Sequence, residues 1–244
     1  MTLDLALIAL GAFLAALVVG AAGFAFAVVA NGLWAHALPP SALVLFAAVL
    51  ATLLHSVVTW KIRRAIEWRR LAPFLLGSLV GVPIGAALLT RIDPVWFRHI
   101  LGVCLIGYVV LALVRPASGP LRLGAGAARA ADGGIGWLGG VIGGVTAMHG
   151  TLPALWCQNR GWDKAVSRGV LQPYIFFTNI LVMLWVGSRV TIEPQALLWP
   201  MVVALPAMAA GLMLGWRIFE VVSEPVFRRL VLGLIFCSGV ALQF

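Results

Sequence analysis

Long apolar runs separated by short charged segments set the pattern of the chain. The first, residues 5–34, is interrupted by Gly20, Gly23, Asn31 and Gly32. The second, residues 38–60, ends at a basic block carrying Lys61, Arg63, Arg64, Arg69 and Arg70 around a single acid, Glu67. A third, residues 71–90, contains Gly77, Gly81, Pro83 and Gly85, and a fourth covers residues 100–114. Beyond a Gly/Ala/Arg-rich stretch come residues 135–156, 170–186, 195–215 and 230–244. Each long run approaches the roughly 20 residues that a helix needs to cross hydrocarbon. The fourth and last reach that length by borrowing the surroundings of Arg98 and Arg229, whose side chains can snorkel. The short alternating runs of a membrane barrel are absent. The pattern predicts an all-α polytopic membrane protein.

The two halves repeat. Pro94-Val95-Trp96-Phe97-Arg98 through Gly102 matches Pro225-Val226-Phe227-Arg228-Arg229 through Gly233 without a gap. Gly81 and Gly85 match Gly211 and Gly215, Ile66-Glu67 matches Ile192-Glu193, Leu33-Trp34 matches Leu155-Trp156, and Ala42 matches Ala165. Matches in the same order point to a duplication, an architecture common among transporters. Residues 1–114 form the N-terminal repeat, residues 115–134 the linker and residues 135–244 the C-terminal repeat. Each repeat holds about four helical segments.

Charge sets the orientation. The Ile66-Glu67 loop is strongly basic, whereas its counterpart at Ile192-Glu193 has only Arg189 nearby. Cytoplasmic loops collect Lys and Arg, so the two loops are expected on opposite sides of the membrane, which makes the repeats inverted. A plain count of eight spans would place both on one side. A Gly-rich segment that opens the second half, dips in and returns removes the conflict. Residues 139–153, Gly-Gly-Val-Ile-Gly-Gly-Val-Thr-Ala-Met-His-Gly-Thr-Leu-Pro, suit such a broken or re-entrant segment. Irregular backbone survives in a membrane only where protein or a cavity satisfies it. The first-half counterpart is Gly20-Ala21-Ala22-Gly23, with Asn31 beyond.

Composition narrows the function. Of 244 residues, 62% are hydrophobic and 10% charged, and the mean hydropathy is +1.06. No soluble fold of this length hides so much apolar surface. The net charge of +9 would suggest nucleic acid in a soluble chain; here it orients the protein in the lipid bilayer, and no nucleic-acid partner is expected. Cys104, Cys157 and Cys237 are far apart and show no metal-ligand or disulfide spacing, so neither metal nor cofactor is implied. The N-terminus carries Asp4 in place of a basic start and does not read as a removable signal peptide.

These features resemble the TauE/SafE family, also called the sulfite exporter or TSUP family. Its pattern has a Gly-rich stretch opening each half, an Ala-containing helix start, a basic loop, a glycine-spaced helix and a last helix with Phe and Arg. Here the corresponding positions are Gly20 to Gly23 and Gly139 to Gly144, Ala42 and Ala165, Gly77 to Gly85, and Phe97-Arg98 and Phe227-Arg228. The first half reads Gly-Ala-Ala-Gly in place of a run of glycines. The resemblance covers nearly the whole chain. It implies a multi-pass protein of the cell (inner) membrane that exports or imports sulfite, an organosulfonate or a related oxyanion.

The polar residues agree with an anion. All eight acids fall at run ends or in loops, so the buried carboxylate relay of many cation pumps is not expected. Anions want amides, hydroxyls, imidazoles, cations and helix N-termini. The candidate substrate-binding residues are Asn31, His55, Gly143, Gly144, Thr146, His149, Thr151, Arg168, Gln172 and Asn179. Each has a plainer alternative. His55 could be interfacial, His149 and Asn179 could be interhelical hydrogen-bonding residues, and Arg168 could be an orienting anchor. Arg160 and Lys164 read as solvated loop charges. With no nucleotide-binding motif, the expected mechanism is secondary transport by alternating access. A proton riding on a histidine is the candidate coupling ion, and a passive uniporter fits as well. A non-transporting assembly factor and an intramembrane enzyme remain alternatives; no GxSxG or HExxH motif supports the latter.

The inverted arrangement predicts that single cysteines placed at Arg64 and at Thr191, in a background without Cys104, Cys157 and Cys237, are labelled from opposite faces of the membrane. Labelling of both from one face would refute it.

Overall fold

A computed structural model describes residues 2–22, 25–113, 121, 123–190, 194–221 and 224–244. Ten α-helices follow one another among these residues: α1 Thr2–Ala22, α2 Phe26–Trp34, α3 Pro40–Lys61, α4 Trp68–Leu89, α5 Pro94–Leu113, α6 Ala125–Thr146, α7 Thr151–Asn159, α8 Lys164–Gly187, α9 Pro194–Val221 and α10 Glu224–Ala241. A 3₁₀ turn lies at Arg63–Ala65. Among the described residues, six helices are long and apolar enough to cross a membrane: Leu3–Gly20, Pro40–Lys61, Trp68–Leu89, Pro94–Leu113, Lys164–Gly187 and Leu197–Gly215. The protein is an all-α polytopic membrane protein. The Ile192-Glu193 loop lies outside the described residues.

Helix ends follow local chemistry. Asp163 caps α8, its carboxylate accepting the Val166 amide at 2.8 Å. Asp93 does the same before α5, accepting the Val95 amide at 2.8 Å, so α5 begins ahead of its apolar run and takes in Arg98. α6 begins at Ala125 and takes the last part of the inter-half stretch into its first turns.

Both opening segments are broken. α1 is followed by the 9-residue α2, and α6 by the 9-residue α7. Nine residues rise only about 14 Å, half the hydrocarbon thickness of about 30 Å. A left-handed alanine sits at each break, Ala25 at φ 77° and Ala147 at φ 60°. This is an uncommon conformation for a residue with a Cβ.

Two compact units form, and neither follows the sequence halves. One contains residues 1–47, 92–113 and 191–244; the other contains residues 48–91 and 114–190. In the first unit, Trp34 is buried and donates its indole N–H to the Ile8 carbonyl at 3.1 Å. Phe26 and Phe46 flank its ring, with centroids 5.8 and 4.8 Å away. α1 lies along α9. A Cβ on Gly20 would come 2.9 Å from the Leu212 carbonyl oxygen, while Gly211 and Gly215 leave no room between themselves and the Phe13 and Leu17 carbonyls.

In the second unit, α6 lies along α4 in the same manner. Gly77, Gly81 and Gly85 face the carbonyls of Gly133, Trp137 and Val141, and Gly136, Gly140 and Gly144 answer from α6 against Phe74, Ser78 and Val82. Each glycine seam thus joins the opening helix of one sequence half to the glycine-bearing helix of the other. Small residues allow backbones to approach and pack in lipid, where no hydrophobic drive exists between helices.

Gly81→Ala is therefore expected to lower stability by about 1–3 kcal/mol through overpacking. Gly107→Ala, where nothing lies within 4 Å of the new Cβ, should be neutral or stabilising, because alanine is the better helix former. Thermal unfolding in detergent measures the contrast.

Candidate functional site

The second unit holds the richest group of buried polar side chains, built around the break between α6 and α7. Gly143 lies so close to the His149 Cβ that any side chain there would displace the histidine. Gly139 likewise admits the Tyr174 hydroxyl and the His149 carbonyl, 2.8 and 2.9 Å from where a Cβ would stand. The break satisfies much of its own backbone. The Ala147 amide donates to Gly143 at 2.7 Å, and the Thr151 amide to Met148 at 3.3 Å. The Met148 amide donates to the Thr146 hydroxyl at 3.2 Å. The amides of His149, Gly150 and Leu152 are left uncommitted among the described residues.

α8 supplies the facing wall. Gln172, Ile175 and Asn179 recur at helical spacing and share one face. The Gln172 side-chain oxygen accepts from His55 Nδ1 on α3 at 2.6 Å. His149 Nε2 donates to the Ile175 carbonyl at 3.2 Å. That bond places a proton on Nε2 and leaves Nδ1 facing inward. His149 Nδ1 is buried with no hydrogen-bond partner, and so are both amide atoms of Asn179. On the adjoining face of α8, the Tyr174 hydroxyl donates to the Gly136 carbonyl at 3.2 Å, and Thr178 approaches the Ser78 hydroxyl at 3.5 Å. The rings of His149 and Tyr174 meet edge to face, 6.2 Å between centroids.

The residues expected from sequence divide clearly. His55, Thr146, His149, Thr151, Gln172 and Asn179 are all buried within this unit. The hydroxyl protons of Thr146 and Thr151 are committed to the Ile142 and Met148 carbonyls, at 2.7 and 2.8 Å. These threonines shape the break; their protons are not spare donors. Gly143 seats His149, whereas Gly144 serves the α4–α6 seam, 2.6 Å being all that would separate its Cβ from the Val82 carbonyl. Arg168 is exposed, one turn before Gln172. Asn31 is buried in α2 and belongs to the other unit.

Ser78, Tyr174 and Thr178 are buried here too; of these, sequence reasoning singles out Thr178, beside Asn179, and misses Ser78 and Tyr174. Tyr174 and Thr178 stand four apart, one turn, which was the available signal. Two expectations are corrected. Asp132 is not at a helix end or in a loop: it is buried inside α6 and accepts the Trp156 indole N–H at 2.6 Å. Arg160 is not freely solvated. Its Nη1 is buried, and its guanidinium lies 5.7 Å from the Trp162 ring, which Arg70 also approaches at 5.0 Å. Among the described residues, no group of three or more His, Cys, Asp or Glu side chains is placed to hold a metal ion.

Long apolar helices, two opening segments that each end in a short helix, and buried polar side chains at the α6–α7 break have the build of a helical membrane transporter. The family model for the sulfite exporter TauE/SafE matches residues 8–242, and the chain belongs to that family. It is a multi-pass membrane transporter and not an enzyme. Among curated proteins it is similar to the "Probable inner membrane transporter protein TsaS" of Comamonas testosteroni. That relative is 27% identical over 205 residues, covering 82% of this chain and 81% of the relative. No solved structure matches the chain.

Trp156→Phe keeps the ring and removes the one side-chain donor that the described residues place on the Asp132 carboxylate. Leaving that buried acceptor unsatisfied should lower stability by about 1–3 kcal/mol, read as a fall in melting temperature in detergent.

Proposed function

We propose that the protein carries a small sulfur oxyanion or organosulfonate across the inner membrane, and that the substrate binds between the α6–α7 break and α8. The observation that carries the reading is the set of orphaned polar atoms: both amide atoms of Asn179 and Nδ1 of His149, all buried. Buried polar groups nearly always find partners, so each orphan asks what fills its valence. An oxyanion answers the amide N–H of Asn179 directly. The uncommitted amides of His149 and Gly150, together with the start of α7, add donors where an anion is favoured. His149 Nδ1 can face a protonated oxygen of the substrate or take up a proton itself.

The family supports the substrate class, since its matching model is that of a sulfite exporter. The inner-membrane location of the similar curated protein supports the compartment. The buried carboxylate of this unit, Asp132, is engaged by the Trp156 indole N–H at 2.6 Å. Arg168, exposed one turn before Gln172, is placed to raise the local anion concentration outside the buried group. Asn31, buried in the other unit, stays a candidate substrate-binding residue by its residue type alone. Inverted repeats working by alternating access, with His149 as carrier if a proton is coupled, complete the proposal.

Asn179→Leu provides a test with two readouts. Exchanging an orphaned amide for an apolar side chain of similar size should leave the ligand-free protein equally or more stable. The same change should weaken anion binding about ten- to hundredfold, the loss of one donor to a charged ligand. Titrations of purified protein with sulfite, thiosulfate, sulfate, taurine and sulfoacetate, followed by thermal shift, read both. His149→Ala should weaken binding similarly. Normal binding by both folded variants would move the site elsewhere.

A further inference from the structure

We propose that the end of α3 carries a binding seat for an anionic phospholipid. A cavity of about 540 Å³ opens there, lined by Ser56, Val57, Thr59, Trp60, Lys61 and Arg63 of α3 and its following turn, and by Phe176 of α8. Its position follows from the chain: α3 is a membrane-spanning helix whose last residue is Lys61, so the cavity stands at headgroup depth.

Its chemistry is divided in the way a phospholipid is. Val57, Trp60 and Phe176 give an apolar wall for glyceryl and acyl carbons. Lys61 and Arg63 give a cationic rim, both side chains exposed. Among the described residues neither has a carboxylate partner. The Arg63 guanidinium is held in place rather than free: it lies 4.5 Å from the Trp60 ring centroid and donates to the Trp60 carbonyl at 2.9 Å. Thr59 lines the same cavity, is buried, and its hydroxyl has no hydrogen-bond partner. Arg64, Arg69 and Arg70 follow within the same short loop, against one acid, Glu67. A cationic pocket beside a spanning helix favours an anionic headgroup over a zwitterionic one.

The unit contains its own control. Arg189 lies 4.7 Å from the Trp185 ring and donates to the Trp185 carbonyl at 3.2 Å. This is the same arginine-on-indole arrangement just past the end of α8, and neither residue lines that cavity.

The full-length protein in neutral detergent is incubated with phosphatidylglycerol or with phosphatidylcholine of the same acyl chains, and bound lipid is counted by native mass spectrometry. Preferential retention of phosphatidylglycerol by roughly tenfold is expected, with each cation near the surface contributing. The double variant Lys61→Gln/Arg63→Gln should lose that preference. Lys61→Arg and Arg189→Gln should keep it. Melting curves of the double variant should match the parent without lipid, because both side chains are exposed. Equal retention of the two lipids, an unchanged preference in the double variant, loss of preference in Arg189→Gln, or displacement by millimolar inorganic phosphate would each overturn the lipid seat.

Discussion

A helix that stops among buried side chains must find partners for the peptide groups it releases, and most of what surrounds α6 follows from that requirement. The chain turns once, at Ala147 in a left-handed conformation, and settles three of the freed amides on Gly143, Thr146 and Met148. The remaining ones stay beside a wall of buried polar side chains. Such a break cannot be held by loose packing. The α4–α6 seam supplies the rigidity, with backbone against backbone at Gly77, Gly81 and Gly85. Glycine provides the close approach, and the close approach holds the broken backbone in one arrangement.

The buried imidazoles show how specific that environment is. His55 is tied to Gln172 and His149 to a carbonyl of α8, so each ring has one nitrogen engaged and a fixed orientation. The engaged partners are neutral oxygens, not carboxylates. A cation finds few strong ligands in such a group, whereas an anion finds N–H donors without repulsion. The buried carboxylate of this unit, Asp132, is engaged by the Trp156 indole N–H, while the Asn179 amide is left without a partner.

Much of this was legible in the sequence. The apolar runs gave the helices, because hydrocarbon thickness fixes their length. The glycine density at 139–150 marked the break, and the spacing of Gly77, Gly81 and Gly85 marked a seam. His149, Gln172 and Asn179 stood out as polar residues inside apolar runs. What could not be read was which surfaces meet. Asp132 looked like a linker acid until α6 was seen to begin at Ala125 and Trp156 to reach back to it. Arg160 looked solvated because nothing local reveals that Trp162 folds under it. Tyr174 and Ser78 sit in runs too apolar to draw notice, and their roles depend on neighbours about a hundred residues away, as with Thr178 and Ser78. Sequence periodicity describes a helix alone; it carries no information about its partner.

The exchange of seam partners between halves fixes an order of assembly. Chains leave the ribosome from the N-terminus, and units fold as their parts arrive. The unit containing residues 48–91 and 114–190 has all its helices once α8 has emerged. The other unit owns the first helix of the chain and the last two. α1 enters the bilayer first and then waits for Gly211 and Gly215, the residues against which its Phe13 and Leu17 carbonyls pack. During that interval its small-residue face is open to lipid or to another protein. The unit that contains α1 is therefore completed after the other.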